Sequence, residues 1–141
     1  MKLAWVERLV AAYFSKFAGI AKWRQSSVAN TRANKLVRTK IGRIILVPDN
    51  ATDTSLFCLP VQTTGADTFK LALYLISSGL EGVDARIVNT FFLHDEIIVE
   101  ARDGIEDQVQ SIVKKSMEEE FKQIIPAVPF VAEIRLADSW K

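Results

Sequence analysis

Apolar residues recur along this chain at two different periods, and the switches between them mark its elements. Leu3, Val6, Val10, Tyr13, Phe14 and Phe17 fall three and four apart, with Lys2, Arg8 and Lys16 off that line. Such spacing predicts one apolar stripe on a helix over residues 2–17. Ala18-Gly19 punctuates, and residues 21–34 read as a second, more polar helix carrying Lys22, Arg24 and Arg32. Its apolar face is thin, essentially Trp23 and Val28, which places it at the surface. From Leu36 the period drops to two. Val37, Thr39 and Ile41 alternate with Arg38 and Lys40, Gly42 breaks the run, and residues 44–47 resume it. That is the pattern of a short hairpin with one basic face, bringing Arg38, Lys40 and, beyond the break, Arg43 to one surface.

Residues 48–55, PDNATDTS, are rich in turn formers and lead into a helix start. Pro60 interrupts the apolar run that follows and suits the first turn of a new helix. Over residues 64–78, Ala66, Phe69, Leu73 and Ile76 form one stripe, widened by Leu71 and Leu75, so a well-buried helix is predicted. Gly79 and Gly82 then punctuate a turn. Two apolar runs, 87–93 and 97–99, flank the polar cluster His94, Asp95 and Glu96, which reads as a β-hairpin with the polar residues at its tip. Asp103 and Glu106 have the spacing of a capping box. Ile105, Val109, Ile112, Val113, Met117 and Phe121 make the stripe of the helix behind it, with Glu118, Glu119 and Glu120 on the solvated side. Pro126 and Pro129 end that helix, and the alternation of Phe130, Ala132, Ile134 and Leu136 predicts a final strand. The expected order is α-α-β-β-α-β-β-α-β. Its class is α+β: a small antiparallel sheet with a central hairpin packed against helices, plus N-terminal helices and a basic hairpin.

Composition changes this picture little. At 141 residues, 49% hydrophobic and 25% charged, the chain is long enough for one domain with a real core and is neither disordered nor fibrous. We expect a single domain over 1–141, with a basic helical and hairpin portion at 1–55 and a core with the acidic hairpin at 56–141. There is no apolar run of about eighteen residues, so no membrane span is expected. The N-terminus meets Glu7 and Arg8 too early for a signal-peptide core. The single cysteine, Cys58, leaves no internal disulfide, and a cytoplasmic location is the expectation.

Charge distribution matters more. Residues 1–48 carry ten Lys/Arg against one acid, Glu7, a net +9; residues 49–141 carry eight against sixteen, a net −8. A basic third joined to an acidic remainder suits one face that meets phosphate and another that holds cations. A solvated helix face with surplus lysine explains the same numbers.

The chemistry concentrates at His94-Asp95-Glu96. Adjacent carboxylates on a rigid support offer hard oxygen ligands to a divalent cation beside a phosphate. Taken alone, the cluster is equally an ordinary hairpin turn. His94 is the only histidine, which excludes histidine-rich phosphohydrolases, HExxH proteases and histidine-based zinc sites. Cys58 sits in an apolar run with no second histidine to act as its base, and reads as core.

The cluster does not stand alone. His94-Asp95-Glu96 between two hydrophobic strands resembles motif C of the family A DNA polymerases, the bacterial DNA polymerase I type. Pro60-Val61-Gln62, Gly65-Ala66-Asp67 and Lys70-Leu71-Ala72 resemble the segment preceding it. Val37-Arg38-Thr39, Gly42-Arg43 and Val47-Pro48-Asp49 resemble the stretch before that, and Tyr13-Phe14, Gly19-Ile20 and Trp23 the helix leading in. Val128-Pro129-Phe130 through Asp138-Ser139-Trp140 is similar to the family's C-terminus. Five blocks in the family's order, from about residue 7 onward, make the resemblance specific.

The resemblance implies the C-terminal part of a palm. On it, Asp95 is a direct Mg²⁺ ligand, Glu96 adjusts the site, His94 lies at the primer end and Gln62 reads the minor-groove edge of the duplex. Arg38, Lys40 and Arg43 would meet backbone phosphates of primer-template DNA. The family's second metal-binding aspartate comes from a string of the form Asp-Tyr-Ser-x-x-Glu, which does not occur here, nor does the fingers helix that holds the incoming deoxynucleotide. The chain departs from the pattern at Cys58, Thr54, Thr63, Ile44 and Ile45, and by two extra residues before His94. The expectation is therefore a polymerase fragment, inactive and only weakly Mg²⁺-binding alone. The alternative is a non-catalytic relic or duplex-DNA-binding module that keeps the fold. Apolar palm faces left uncovered would favour self-association.

Overall fold

The computed structural model describes residues 3–88 and 96–139. In chain order these form α1 (Leu3–Lys16), α2 (Ala18–Asn34), β1 (Leu36–Arg38), β2 (Ile44–Leu46), α3 (Asp53–Gly79), β3 (Ala85–Ile87), β4 (Val99–Ala101) and α4 (Glu106–Ile124). The strands pair as two antiparallel two-stranded sheets, β1 with β2 and β3 with β4. With the four helices of the described residues they give the α+β class that the periodicities predict. The chain divides into two compact units, Met1–Thr64 and Gly65–Lys141.

In the first unit, α1 and α2 part at Phe17, whose backbone leaves the helical region (φ −110°, ψ 61°). The break falls one residue before the expected Ala18-Gly19, and Gly19 lies inside α2. Phe17 still serves both helices, because its carbonyl accepts the N–H groups of Ile20 and Ala21. The far end of α2 stops at Lys35, in the left-handed conformation (φ 53°), with its N–H on the Thr31 carbonyl. Glycine or asparagine usually fills that position, and a lysine there hides the stop from sequence reading. Trp23 of α2 packs edge-on against Phe57 at 4.7 Å between ring centroids.

β1 and β2 pair with Leu36 opposite Leu46, Val37 opposite Ile45 and Arg38 opposite Ile44. The expected wholly basic face is corrected by this register. Arg38 shares its face with Leu36, Ile44 and Leu46, the last two 51% and 78% exposed, while Lys40 and Arg43 lie in the connection between the strands. Cross-strand partners point to the same side, so apolar residues on β2 dilute the basic row. Gly42 (φ 91°) closes the turn, its N–H on the Thr39 carbonyl.

α3 corrects a second expectation. Pro60 does not divide two helices; it lies within one continuous 27-residue helix. A proline there removes one backbone donor. Just beyond it, the Thr63 hydroxyl donates to the Leu59 carbonyl and the Thr64 hydroxyl to the Pro60 carbonyl, both at 2.7 Å. Such hydroxyls bond back to carbonyls of the preceding turn, a bond that threonine makes within helices. The buried line of the later part of α3 also differs from the expected stripe: Thr68, Ala72, Ile76 and Leu80 are buried at intervals of four, whereas Ala66 is exposed.

In the second unit, Ile76, Leu80, Val109 and Val113 form the core, with Ile87, Ile97, Val99 and Ile134 packed against it. α3 and α4 approach closely enough that a Cβ on Gly79 would lie 2.7 Å from Ile112 Cγ2. α4 begins at Glu106 with Ile105 as its N-cap, so Asp103 is not the cap that the spacing predicts. Gly104 (φ 90°) turns the chain in between, and its N–H donates to Glu106 Oε1 at 2.9 Å. Of the acidic run, Glu118 is not merely solvated; its Oε1 accepts the Ala132 N–H at 3.2 Å. The last correction lies beside that bond: residues 130–137 form no strand, and the backbone donor of the buried Ala132 goes to a side chain of α4. Phe130 stacks on Phe121 at 4.2 Å instead.

Candidate active site

Of the sequence-predicted site residues, four belong to the first unit. Arg38 is exposed on β1 and donates from Nη1 to the Gly42 carbonyl at 3.1 Å, which folds its head over the turn. Lys40 is exposed within that turn. The Arg43 N–H donates to Thr39 Oγ1 at 3.1 Å, and Arg43 Nη2 reaches the Thr63 carbonyl of α3 at 3.5 Å. Gln62, the residue before Thr63, is exposed on α3. The hairpin turn and the middle of α3 are thus joined through Arg43, one residue along the helix from Gln62. Two other cations of this unit are held by carboxylates. Arg32 pairs with Asp53, and Lys35 with Asp49 at 2.7 Å. The Lys35–Asp49 hydrogen bond holds the lysine above its usual pKa and the aspartate below the usual carboxylate range. Arg32 and Lys35 line a small cavity over the buried Thr31 and Leu56.

The second unit carries the two strands that flank the acidic cluster in the chain. β3 and β4 pair antiparallel with Arg86 opposite Glu100 and Ile87 opposite Val99, and the Val88 N–H extends the ladder to the Ile98 carbonyl at 2.9 Å. Glu96 is exposed, one residue before the core-packed Ile97. His94 and Asp95 lie outside the described residues.

Sequence reasoning missed the cations around this acidic element. Arg86 pairs with Glu100 at 2.8 Å, and Arg102 lies 3.8 Å from Asp84. Arg135 donates to Glu133 at 2.8 and 3.1 Å. That hydrogen bond is the main reason its guanidinium is held above its usual range, and the charge of Glu96 adds to it. Ile134, between Glu133 and Arg135, packs into the core with Ile97.

Among the described residues no three His, Cys, Asp or Glu side chains gather as a metal cage. The donor chemistry next to Ile97 is carboxylate oxygen, the type that Mg²⁺ takes when one or two carboxylates share it with water and phosphate. Nor does any described helix have the length and apolarity to cross a membrane. Cys58 is a half-buried free thiol on α3.

The family model described as DNA polymerase family A matches residues 3–141. The chain belongs to DNA polymerase family A. It is 29% identical over 147 residues to a thermostable DNA polymerase I of Thermus thermophilus, an alignment covering 98% of this chain and 16% of that protein. With the thermostable DNA polymerase I of Thermus aquaticus the identity is 30% over 146 residues, covering 97% and 16%. The DNA polymerase I of Aquifex aeolicus is 40% identical over 83 residues, 57% of this chain and 14% of that one. This family A chain therefore spans only 16% of the length of the two Thermus relatives. Among solved structures it resembles the POL domain of Pol1 from M. smegmatis in complex with DNA primer-template and dNTP, with a TM-score of 0.74 and 21% identity over 85% of this chain and 23% of that one. That likeness is one of fold.

Proposed function

We propose that this chain supplies part of the active site of a template-directed DNA polymerase: the acidic hairpin of the palm, together with a surface that meets primer-template duplex. The observation that carries this reading is the antiparallel β3–β4 pair, whose strands stand on either side of the Asp95–Glu96 carboxylates in the chain and rest on the core through Ile87, Ile97 and Val99. A rigid apolar base under an acidic pair is what positioning a cation requires. Asp95 is the ligand, Glu96 adjusts the charge beside it, and His94 lies against the primer end. Mg²⁺, when bound, supplies the positive charge that favours an ionised primer hydroxyl and a departing pyrophosphate. Gln62 offers its amide to acceptors that all base pairs share in the minor groove. Arg43, held toward α3 next to Gln62, meets backbone phosphate together with Arg38 and Lys40.

One carboxylate cluster holds Mg²⁺ weakly, so the 141-residue chain does not extend primers alone. The test is primer extension with Mg²⁺ and all four deoxynucleotides. No extension is expected, and template-dependent extension that Asp95→Ala abolishes would overturn this part of the reading.

A second reading, duplex binding without catalysis, is favoured by the position of Arg43 beside Gln62, which needs no metal. On it, affinity for duplex DNA falls steeply with salt, as phosphate contacts dictate, and Asp95→Ala leaves that affinity unchanged. Salt-independent binding would count against this surface.

A further inference from the structure

The segment that follows α4 is fixed at three points. Phe130 stacks on Phe121, the Ala132 N–H is held by Glu118, and Ile134 packs against the same core as Ile97. Inward and outward positions alternate along it. Ala132 is buried and Ile134 half-buried, while Val131, Glu133 and Arg135 are exposed. Arg135 follows Ile134 and Glu96 precedes Ile97, so the two charges stand at the rim of one core, brought there by separate parts of the chain.

The two charges also act on each other. Arg135 donates from Nε and Nη2 to a single oxygen of Glu133. That hydrogen bond and the charge of Glu133 are the main causes that hold the guanidinium above its usual range, and the charge of Glu96 works in the same direction. The other arginines of the hairpin are placed differently. Arg86 is paired with Glu100, and Arg102 lies against Asp84 at the end of the ladder away from Val88 and Ile98. A cation fixed beside carboxylates repels a divalent ion that approaches them, and a carboxylate bound to that cation cancels part of its field. The field at the acidic cluster therefore carries two contributions of opposite sign, one from Arg135 and one from Glu133.

We propose that Arg135 is the counter-cation of the acidic cluster: standing beside Glu96, it lowers the affinity of the Asp95–Glu96 carboxylates for a divalent cation, and Glu133 offsets it. Arg135 is on this account a tuning residue that touches neither the metal nor the substrate. The proposal rests on the cation-site reading given above and adds to it the residues that set the strength of that site.

An Mn²⁺ titration of the full chain at low ionic strength, followed by broadening of the Ile97 amide signal, tests it. Arg135 and Glu133 are 83% and 76% exposed, so substitutions leave the core in place. At separations of about 6–10 Å one unit charge changes the binding of a divalent ion by about three- to tenfold when salt is low. Arg135→Ala is expected to tighten Mn²⁺ binding by about that factor, and Glu133→Gln to weaken it by a similar one. The double variant, with neither charge, is expected to return close to the parent, as is Arg135→Lys. Arg102→Ala removes the same charge from the far end of the ladder and is expected to change little. A pair that served only to hold the segment would be broken by either single substitution, and both would then shift binding in one direction. Shifts of the same sign, no shift from either, or an equal effect of Arg102→Ala would overturn the proposal while leaving the cation site standing, provided that Asp95→Ala abolishes the broadening. Broadening indifferent to Asp95→Ala would overturn both.

Discussion

Arg86 on β3 and Glu100 on β4 stand directly opposite one another, and their side chains meet at 2.8 Å, Nη2 to Oε2. A one-residue slip would turn every side chain of either strand to the other face. This pair marks the register that sends Ile87 and Val99 to the core and leaves Glu96 beyond it. Both partners are more than half exposed, so the pair contributes about 0–1 kcal/mol. Glu100→Lys should destabilise the second unit by about 0.5–1 kcal/mol in urea denaturation, and adding Arg86→Glu should recover most of it.

The core beneath the hairpin carries far more. Ile76 is fully buried among Leu80, Val109 and Val113. Ile76→Ala should cost about 2–5 kcal/mol by denaturant unfolding. Tyr74→Ala, two residues away on α3 but 68% exposed, should stay within about 0.5 kcal/mol. Equal effects of the two changes would contradict this packing.

Gly79 is required by space, since a Cβ there would stand 2.7 Å from Ile112 Cγ2. Gly79→Ala should therefore destabilise by about 1–3 kcal/mol although alanine is the better helix former. In an Ile112→Ala background the added cost should fall toward zero. A stabilising Gly79→Ala in the parent chain would show that the two helices are further apart.

The start of α4 depends on acid. Hydrogen bonding from the Gly104 N–H, and then from its own backbone N–H, holds the Glu106 carboxyl below its usual 4.5. With the folded pKa depressed, the unfolded chain takes up the proton first. The stabilisation is complete above about 4.5 and is lost as pH falls through the folded value. Protection of the Gly104 amide, its exchange rate taken relative to the intrinsic rate at each pH, should fall across that window in the parent chain, and Glu106→Gln should flatten the dependence.

Much of this was legible in advance, for identifiable reasons. α4 was readable because Val109, Val113 and Met117 repeat at helical spacing next to polar neighbours. The first hairpin was readable from a change of period at Gly42; of the second, the strands form at Ala85–Ile87 and Val99–Ala101 rather than at 87–93 and 97–99, and most of its expected tip, His94 and Asp95, lies outside the described residues. The misreadings came from interactions that spacing does not encode. Pro60 sits inside α3, where the hydroxyls of Thr63 and Thr64 bond back around it. The alternation at 130–136 has the form of a strand, yet Ala132 gives its donor to Glu118. The mixed face around Arg38 follows from a register that places Ile44 opposite it, which only pairing reveals. Of the site, Arg38, Lys40, Gln62 and Glu96 are exposed, while the ion pairs of Arg86, Arg102 and Arg135 emerged only with the fold.

The Asp95–Glu96 pair is proposed as a divalent-cation site. Paramagnetic broadening detects weak occupancy, so an Mn²⁺ titration followed by amide resonances tests it most directly. Signals of Glu96 and Ile97 are expected to broaden first, Mg²⁺ to compete the effect away, and Asp95→Ala to remove it while leaving the rest of the spectrum in place. Broadening spread over the acidic surface of α4, with residues 96–97 no more affected than Glu119 and unchanged by Asp95→Ala, would contradict it.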